Sequence, residues 1–311
     1  MSKLFNIQTE DGLTLVARLF APTQKVRAGV IVNSATAVKQ GYYAKFADYL
    51  AAHGFLVITY DYRGIGESAI DNPRDKRLTM QAWGERDLNT MIAWATGQYP
   101  KLDWHCIGHS VGGQIIGLAA NNAVFKSVYC VSSQSGYWQH WERFDKLKML
   151  LNWYALIPGV SRLLGKVPGA FLGGEQLPEG IARQWAYWGR HQDYIVDEQG
   201  SPIREGFERV YCPMKFILIE DDLDFAPPKA VAALKQFYAN ADSLLFRISP
   251  QEAGAKEIGH FGFFKKEYRD SLWQDALNWL QHHSSVGSHK LKTNKDERSA
   301  SLTGSECSMS A

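Results

Sequence analysis

Cys106-Ile107-Gly108-His109-Ser110-Val111-Gly112-Gly113 is the stretch on which the fold turns. Trp104 to Ile107 before it is a short apolar run of strand type. Gly112 to Asn121 after it, with Ile115, Ile116, Leu118, Ala119 and Ala120, reads as a buried helix. The octet therefore sits on a strand-to-helix turn, and Gly108-His109-Ser110-Val111-Gly112 fits the G-x-S-x-G pattern of a nucleophile elbow. Glycines flank the serine in such a turn because the backbone is strained and packed too closely for side chains. The bland alternative is a tight crossover without chemistry, so the weight falls on what surrounds it.

Upstream, Leu4 to Gln8 and Leu13 to Phe20 flank Glu10-Asp11-Gly12 as a β-hairpin closed by Pro22. Ala28 to Val32 and Phe55 to Tyr60 are continuous apolar runs of the buried, parallel kind, separated by a helix from Tyr42 to His53 that Gly54 stops. Leu88, Met91, Ile92 and Ala95 share one face of a helix spanning Ala82 to Tyr99, and Pro100 ends that segment before the elbow strand. Downstream follow strands at Phe125 to Ser132, Met214 to Glu220 and Ser243 to Ile248, with helices at Pro227 to Tyr238 and Tyr268 to His283. The alternation predicts an α/β protein with a mostly parallel, doubly wound sheet.

Between Ser133 and Val210 this rhythm stops. The insertion is too long for a plain connection and has helical apolar spacing at Trp141, Phe144, Leu147, Leu151 and Tyr154. It also carries five of the ten tryptophans: Trp138, Trp141, Trp153, Trp185 and Trp188. Such rings commonly form a satellite core. The functional alternative is a lid with an apolar inner wall, on which Trp138, Trp141 and Trp185 are candidate substrate-binding residues. Residues 1–132 and 211–283 are thus expected to form the α/β core and 133–210 a helical cap. Residues 284–311, polar and without periodicity, are expected to be a disordered tail.

A serine hydroxyl is a weak nucleophile that needs a base within hydrogen-bond reach and a carboxylate to orient the base. In doubly wound hydrolases the order along the chain is Ser, acid, His. Of the nine histidines only His260, in Gly259-His260-Phe261-Gly262 before the last helix, fits that order. His109 cannot readily swing toward the hydroxyl of its own neighbour, and His282 and His283 end an exposed helix. The acid lies in Glu220-Asp221-Asp222-Leu223-Asp224 at a strand end. Counting forward from Pro213 selects Asp222, and counting back from Pro228 favours Asp224. Asp222 is the choice here. For an oxyanion, the backbone N–H groups of Val111, after the nucleophile, and of Ala35, in the loop after an early strand, are the candidate donors.

Composition narrows the partners. Lys and Arg number 34 against 32 Asp and Glu, which gives no reason to expect a nucleic acid or a strongly charged substrate. The four cysteines are scattered, and the acidic loop lacks the alternating ligands and glycine of a calcium site, so neither metal nor cofactor is expected. There is no apolar signal core at the start and no uninterrupted apolar stretch of spanning length. A cytoplasmic protein without a transmembrane segment is the expectation.

Together Gly108-His109-Ser110-Val111-Gly112-Gly113, the acid loop at Asp222 and His260 resemble the α/β-hydrolase superfamily over nearly all of residues 1–283. Asn33-Ser34-Ala35-Thr36-Ala37-Val38, Asp61-Tyr62-Arg63-Gly64-Ile65-Gly66-Glu67-Ser68, Gln184-Trp185-Ala186-Tyr187-Trp188 and Gly259-His260-Phe261-Gly262-Phe263-Phe264 resemble a bacterial group of predicted hydrolases related to serine aminopeptidases and monoglyceride lipases. Two departures stand out: Asn33-Ser34 replaces the His-Gly pair of many relatives, and the acid loop is one residue out of step. The resemblance implies an α/β-hydrolase fold and a serine hydrolase acting through an acyl-enzyme, and the tryptophan-rich insertion narrows the expected substrate to a small-molecule apolar acyl ester, of carboxylesterase or lipase type. Acyl transfer, peptide or thioester cleavage with the same triad, and a non-catalytic binding protein are the rival expectations.

Overall fold

Strands β3 (Ala28–Asn33) and β5 (Trp104–His109) lie side by side near the middle of an eight-stranded sheet in the computed structural model, which describes residues 2–284. The order is β1-β2-β4-β3-β5-β6-β9-β10, with β1 at Ser2–Gln8, β2 at Thr14–Phe20, β4 at Phe55–Tyr60, β6 at Phe125–Val131, β9 at Met214–Ile219 and β10 at Ser243–Ile248. β1 and β2 pair antiparallel, β2 meets β4 antiparallel, and every pair from β4 to β10 is parallel. From β3 the chain winds first outward to β4 and then back across to β5. Carboxyl ends diverge at such a switch of direction and leave a crevice. Here it opens where Asn33 pairs with Gly108.

The continuous apolar runs of β3, β4 and β5 are buried along their whole length because helices cover both faces. On one face Phe46 and Leu50 of the helix Ala44–Ala52 pack with Trp273 and Leu277 of Leu272–His282. On the other, Met91 and Ile92 of Asn89–Gln98, Ile115 behind the elbow and Leu234 of Pro228–Phe237 form a second cluster that continues into residues 133–210. The helix expected over Ala82 to Tyr99 contains a π-helical stretch, Trp83–Leu88, before Asn89–Gln98 begins. The last strand, β10, is an edge, and its Leu244, Leu245 and Phe246 are exposed.

Residues 133–210 add no strand to the eight-stranded sheet. They hold the helices Arg143–Leu151, Ile157–Leu164 and Glu179–Arg190 and a two-stranded hairpin of β7 (Lys166–Val167) and β8 (Leu177–Pro178). Of the helical apolar spacing at Trp141, Phe144, Leu147, Leu151 and Tyr154 only Trp141 is buried, while Phe144, Leu147, Leu151 and Tyr154 are 76%, 58%, 58% and 53% exposed. The inward row is instead Met149, Asn152, Trp153, Leu156, Ile157 and Val160, itself at helical spacing but rotated around the axis. A π-helical segment, Asn152–Leu156, lies within this row.

No helix among the described residues is long and apolar enough to cross a membrane. The expected tail, 284–311, lies outside the described residues except for Ser284. The Ser284 hydroxyl lies 3.1 Å from His105 Nε2, while His105 Nδ1 meets Ser127 Oγ at 2.9 Å. Burial pushes this imidazole down to about 4. The unfolded chain then takes up a proton near pH 6.5 that the folded chain refuses until about pH 4. The contribution of His105 to stability is therefore complete above pH 6.5 and declines on acidification, at a limiting slope of about 1.4 kcal/mol per pH unit. Urea melts between pH 7 and pH 4.5 should show His105→Gln losing stability less steeply than the wild type. Equal slopes would contradict this role.

Candidate active site

Ser110 stands between β5 and the helical turn Val111–Gln114 with φ 53° and ψ −117°, outside the regions that L residues ordinarily adopt. The strain is held by neighbours: Ser110 N–H donates to Val131 O at 2.9 Å, and Gly113 N–H donates back to Ser110 O at 3.1 Å. A Cβ on Gly108 would stand 2.5 Å from Gly113 N, and one on Gly112 would collide with Asn33 O. These two glycines are required by close approach of backbone to backbone. The buried helix expected over Gly112 to Asn121 is shorter than its apolar pattern: Val111–Gln114 is α-helical and Ile115–Leu118 tightens to 3₁₀. Asn33 secures the turn from β3. Its Nδ2 donates to Gly112 O at 3.1 Å, and its Oδ1 accepts from Tyr60 Oη at 2.9 Å.

His260 lies on the short helix Gly259–Gly262, and its Nδ1 is 2.6 Å from Asp222 Oδ2, both side chains being buried. Asp222 Oδ1 is also buried and has no donor among the described residues, so the carboxylate is committed to the imidazole alone. Phe225 stacks on the His260 ring with centroids 4.8 Å apart, and Phe261 meets it edge-on at 5.0 Å. These rings keep water from the imidazole on two sides. Asp224 has no part in this contact. Its carboxylate is exposed and lies 3.9 Å from Lys148 Nζ, and its backbone oxygen accepts from Trp141 Nε1 at 2.9 Å. Ser110 and His260 line one cavity, with no direct hydrogen bond between them among the described residues. In free enzymes this bond is often long and tightens only with substrate bound.

The oxyanion expectation needs one correction. Val111 N–H, at the first position of its helical turn, has no intrahelical acceptor and stays available. Ala35 lines the cavity, but its N–H is already engaged, donating to Tyr43 Oη at 2.8 Å. Thr36 lines the cavity, and its N–H carries no hydrogen bond among the described residues, so the loop offers a donor one residue later. Tyr43 continues into a buried relay. Its Oη is 2.8 Å from His109 Nδ1, and His109 Nε2 is 2.9 Å from His260 O. The carbonyl can only accept, so His109 carries its proton on Nε2 and receives the Tyr43 O–H at Nδ1. Burial pushes the tyrosine up and the imidazole well down, which keeps both neutral. His109 thus ties three loops together without facing the serine.

The cavity between sheet and insertion has a volume of about 390 Å³. Ser110, His260 and Thr36 lie in its lining with Trp141, Trp153, Trp185, Ile157, Val167 and Leu172. Trp141 and Trp185 therefore reach it, and Trp138 does not. The Trp138 ring packs against Tyr137 and under Lys146 Nζ, on a 3₁₀ turn that directs it away. Trp153, not among the substrate-binding candidates, takes the place expected of Trp138, held by a 2.9 Å bond from Nε1 to Gly136 O. Trp185 Nε1 donates to Tyr194 Oη at 3.0 Å, and Tyr194 Oη donates to Gln114 Oε1 at 3.0 Å, so the wall of the cavity is wired to the helical turn behind Ser110. The sequence contains one signal for this link, a glutamine inside an apolar helical run. Tyr43 has no comparable local signal. No cluster suited to a metal ion occurs among the described residues.

Residues 24–170 match the family described as serine aminopeptidase, S33. A monoacylglycerol lipase from Mycolicibacterium smegmatis is 30% identical over 107 residues, 34% of this chain, and the chain spans only 36% of that relative's length. Among solved structures, a soluble variant of monoglyceride lipase from Saccharomyces cerevisiae aligns with a TM-score of 0.66 at 14% identity, over 92% of this chain and 96% of that one. A thermostable carboxyl esterase from Bacillus coagulans aligns with a TM-score of 0.62 at 16% identity, over 90% of this chain and 98% of that one. At these identities the structural likeness speaks for the fold alone.

Proposed function

On the premise that this chain has the α/β-hydrolase fold, as its likeness to solved structures shows, we propose that it is a serine esterase for apolar acyl esters, with Ser110 as nucleophile, His260 as base and Asp222 as the orienting acid. The observation that carries the reading is the buried 2.6 Å contact of Asp222 with His260 on the wall of the cavity that also contains the strained Ser110. Asp222 fixes the proton on Nδ1, leaving Nε2 to accept the serine proton as Oγ attacks the carbonyl carbon. The oxyanion gathers hydrogen bonds from Val111 N–H and from the loop at residues 33–36, with Thr36 N–H the better disposed donor. His260 then protonates the departing alcohol, and a water molecule, deprotonated by the same nitrogen, releases the acid.

The acyl preference follows from the lining. Trp141, Trp153, Trp185, Ile157 and Val167 offer few hydrogen bonds, and residues 133–210 act as a cap that supplies most of this wall. A series of p-nitrophenyl esters from acetyl to dodecanoyl tests this. We expect kcat/KM to rise with chain length until the cavity is filled. Ile157→Trp should lower kcat/KM for octanoyl relative to acetyl ester by about tenfold, the scale on which apolar pockets discriminate. A flat series, unaltered by that substitution, would contradict the assignment of the cavity as an acyl site.

A further inference from the structure

Asp221, beside the triad acid, has a contact that the reaction as described does not use. Its Oδ2 accepts Ile258 N–H at 2.8 Å, and its Oδ1 accepts Gly259 N–H at 3.1 Å. These are the two residues immediately before His260. We infer that Asp221 is a positioning residue for His260: it clamps the backbone of the histidine loop while its neighbour Asp222 holds the ring. This inference rests on the reading of His260 as the base.

The geometry favours that role over a general structural one. The loop is pinned elsewhere by neutral bonds to its carbonyls: Tyr268 Oη to Glu257 O, His109 Nε2 to His260 O, Tyr42 Oη to Phe261 O and Trp273 Nε1 to Phe263 O. Those contacts leave the N–H groups of Ile258 and Gly259 to a single side chain, and that side chain is an acid. Bonds from N–H to a carboxylate are about twice as strong as neutral ones. Gly259 has a positive φ of 59°, so the chain turns sharply between the clamped amides and His260. A shift of the clamp is transmitted directly to the imidazole. Because Asp221 and Asp222 are adjacent, and Asp222 N–H is held by Ile219 O at 3.1 Å, both grips on His260 are anchored to the end of one strand. Ring and backbone are thereby fixed in the same frame.

The test compares wild type, Asp221→Asn and Asp221→Ala, using kcat/KM for a p-nitrophenyl ester and for an alkyl ester of the same acid, with melting curves as the fold control. A misplaced imidazole transfers protons poorly in both directions, but p-nitrophenolate leaves without a proton and an alkoxide does not. We expect alkyl-ester kcat/KM to fall by about 10- to 100-fold in Asp221→Ala, the scale of an ångström of misplacement. The loss for the p-nitrophenyl ester should be severalfold smaller, and Asp221→Asn, which keeps one acceptor, should lie between wild type and Asp221→Ala for both substrates. Equal losses for the two esters, or none in a folded variant, would overturn the positioning role while leaving the esterase reading intact. A wild type inactive on every ester would instead remove that reading, and this inference with it.

Discussion

Asp222→Asn is expected to lower kcat/KM for ester hydrolysis by about 10⁴-fold, the scale seen when a triad carboxylate becomes an amide, and Asp224→Asn to leave it nearly unchanged. An amide at position 222 can present its nitrogen to Nδ1 and so stabilise the tautomer with the proton on Nε2, where it blocks abstraction from Ser110. The carboxylate also offsets the positive charge that develops on His260 in the transition state. That effect is large here because Asp222 and His260 are both buried and Asp222 Oδ1 has no other donor among the described residues. Asp224, exposed and facing Lys148, has neither role. The paired assay decides between the two acids: a large loss in Asp224→Asn with an active Asp222→Asn would reverse the assignment.

The largest effect on stability is expected from Asp87→Ala, about 3–5 kcal/mol, as for other buried ion pairs with one partner removed. Arg63, almost fully buried, donates from its backbone N–H to Asp87 Oδ2 at 2.9 Å and from Nε to Oδ1 at 2.7 Å. Its Nη1 reaches Asp11 Oδ2 at 2.7 Å. Without Asp87, a buried guanidinium would keep only Asp11 of its two carboxylate partners. Tyr62 stacks on Trp83 at 4.5 Å and donates to Ser34 O at 3.1 Å, so this network also supports the loop beside the serine. Urea denaturation measures the loss. The double variant Arg63→Met/Asp87→Leu should be less destabilised than Asp87→Ala, because it buries no unpaired charge. A loss below about 1 kcal/mol in Asp87→Ala would show that the pair contributes little.

The sheet was legible because its information is local. Continuous apolar runs in β3, β4 and β5 can be satisfied only by cover on both faces, and the alternation of strand and helix then prescribes parallel order. The crowded glycines around Ser110 marked the sharp turn for the same reason: the requirement is written in adjacent residues. Asp222 and Asp224 could not be separated by counting, since both lie within a few residues of a strand end. Only the tertiary path of the loop turns one toward His260 and the other toward Lys148.

What the sequence concealed depends on direction rather than identity. Ala35 occupies the expected loop, yet its N–H points to a tyrosine hydroxyl, and no residue type reports where a backbone donor is aimed. The stripe Phe144, Leu147, Leu151 and Tyr154 has good helical spacing but faces out, while a row containing Lys148's neighbours Met149 and Asn152 faces in. Periodicity finds a face and does not say which neighbour it meets. Trp138 and Trp153 were equivalent as residue types. Their roles separate because Trp153 finds Gly136 O and Trp138 finds Lys146.

Whether Ser110 is an activated nucleophile is read by intact-mass analysis after exposure to a fluorophosphonate, comparing wild type with Ser110→Ala. Attack by Oγ on phosphorus expels fluoride and leaves one stable phosphonyl adduct. A single adduct is expected on the wild type, located at Ser110 by peptide mapping and absent from the variant. A folded wild type that hydrolyses no ester and gains no adduct, or an adduct that persists in Ser110→Ala, would contradict it.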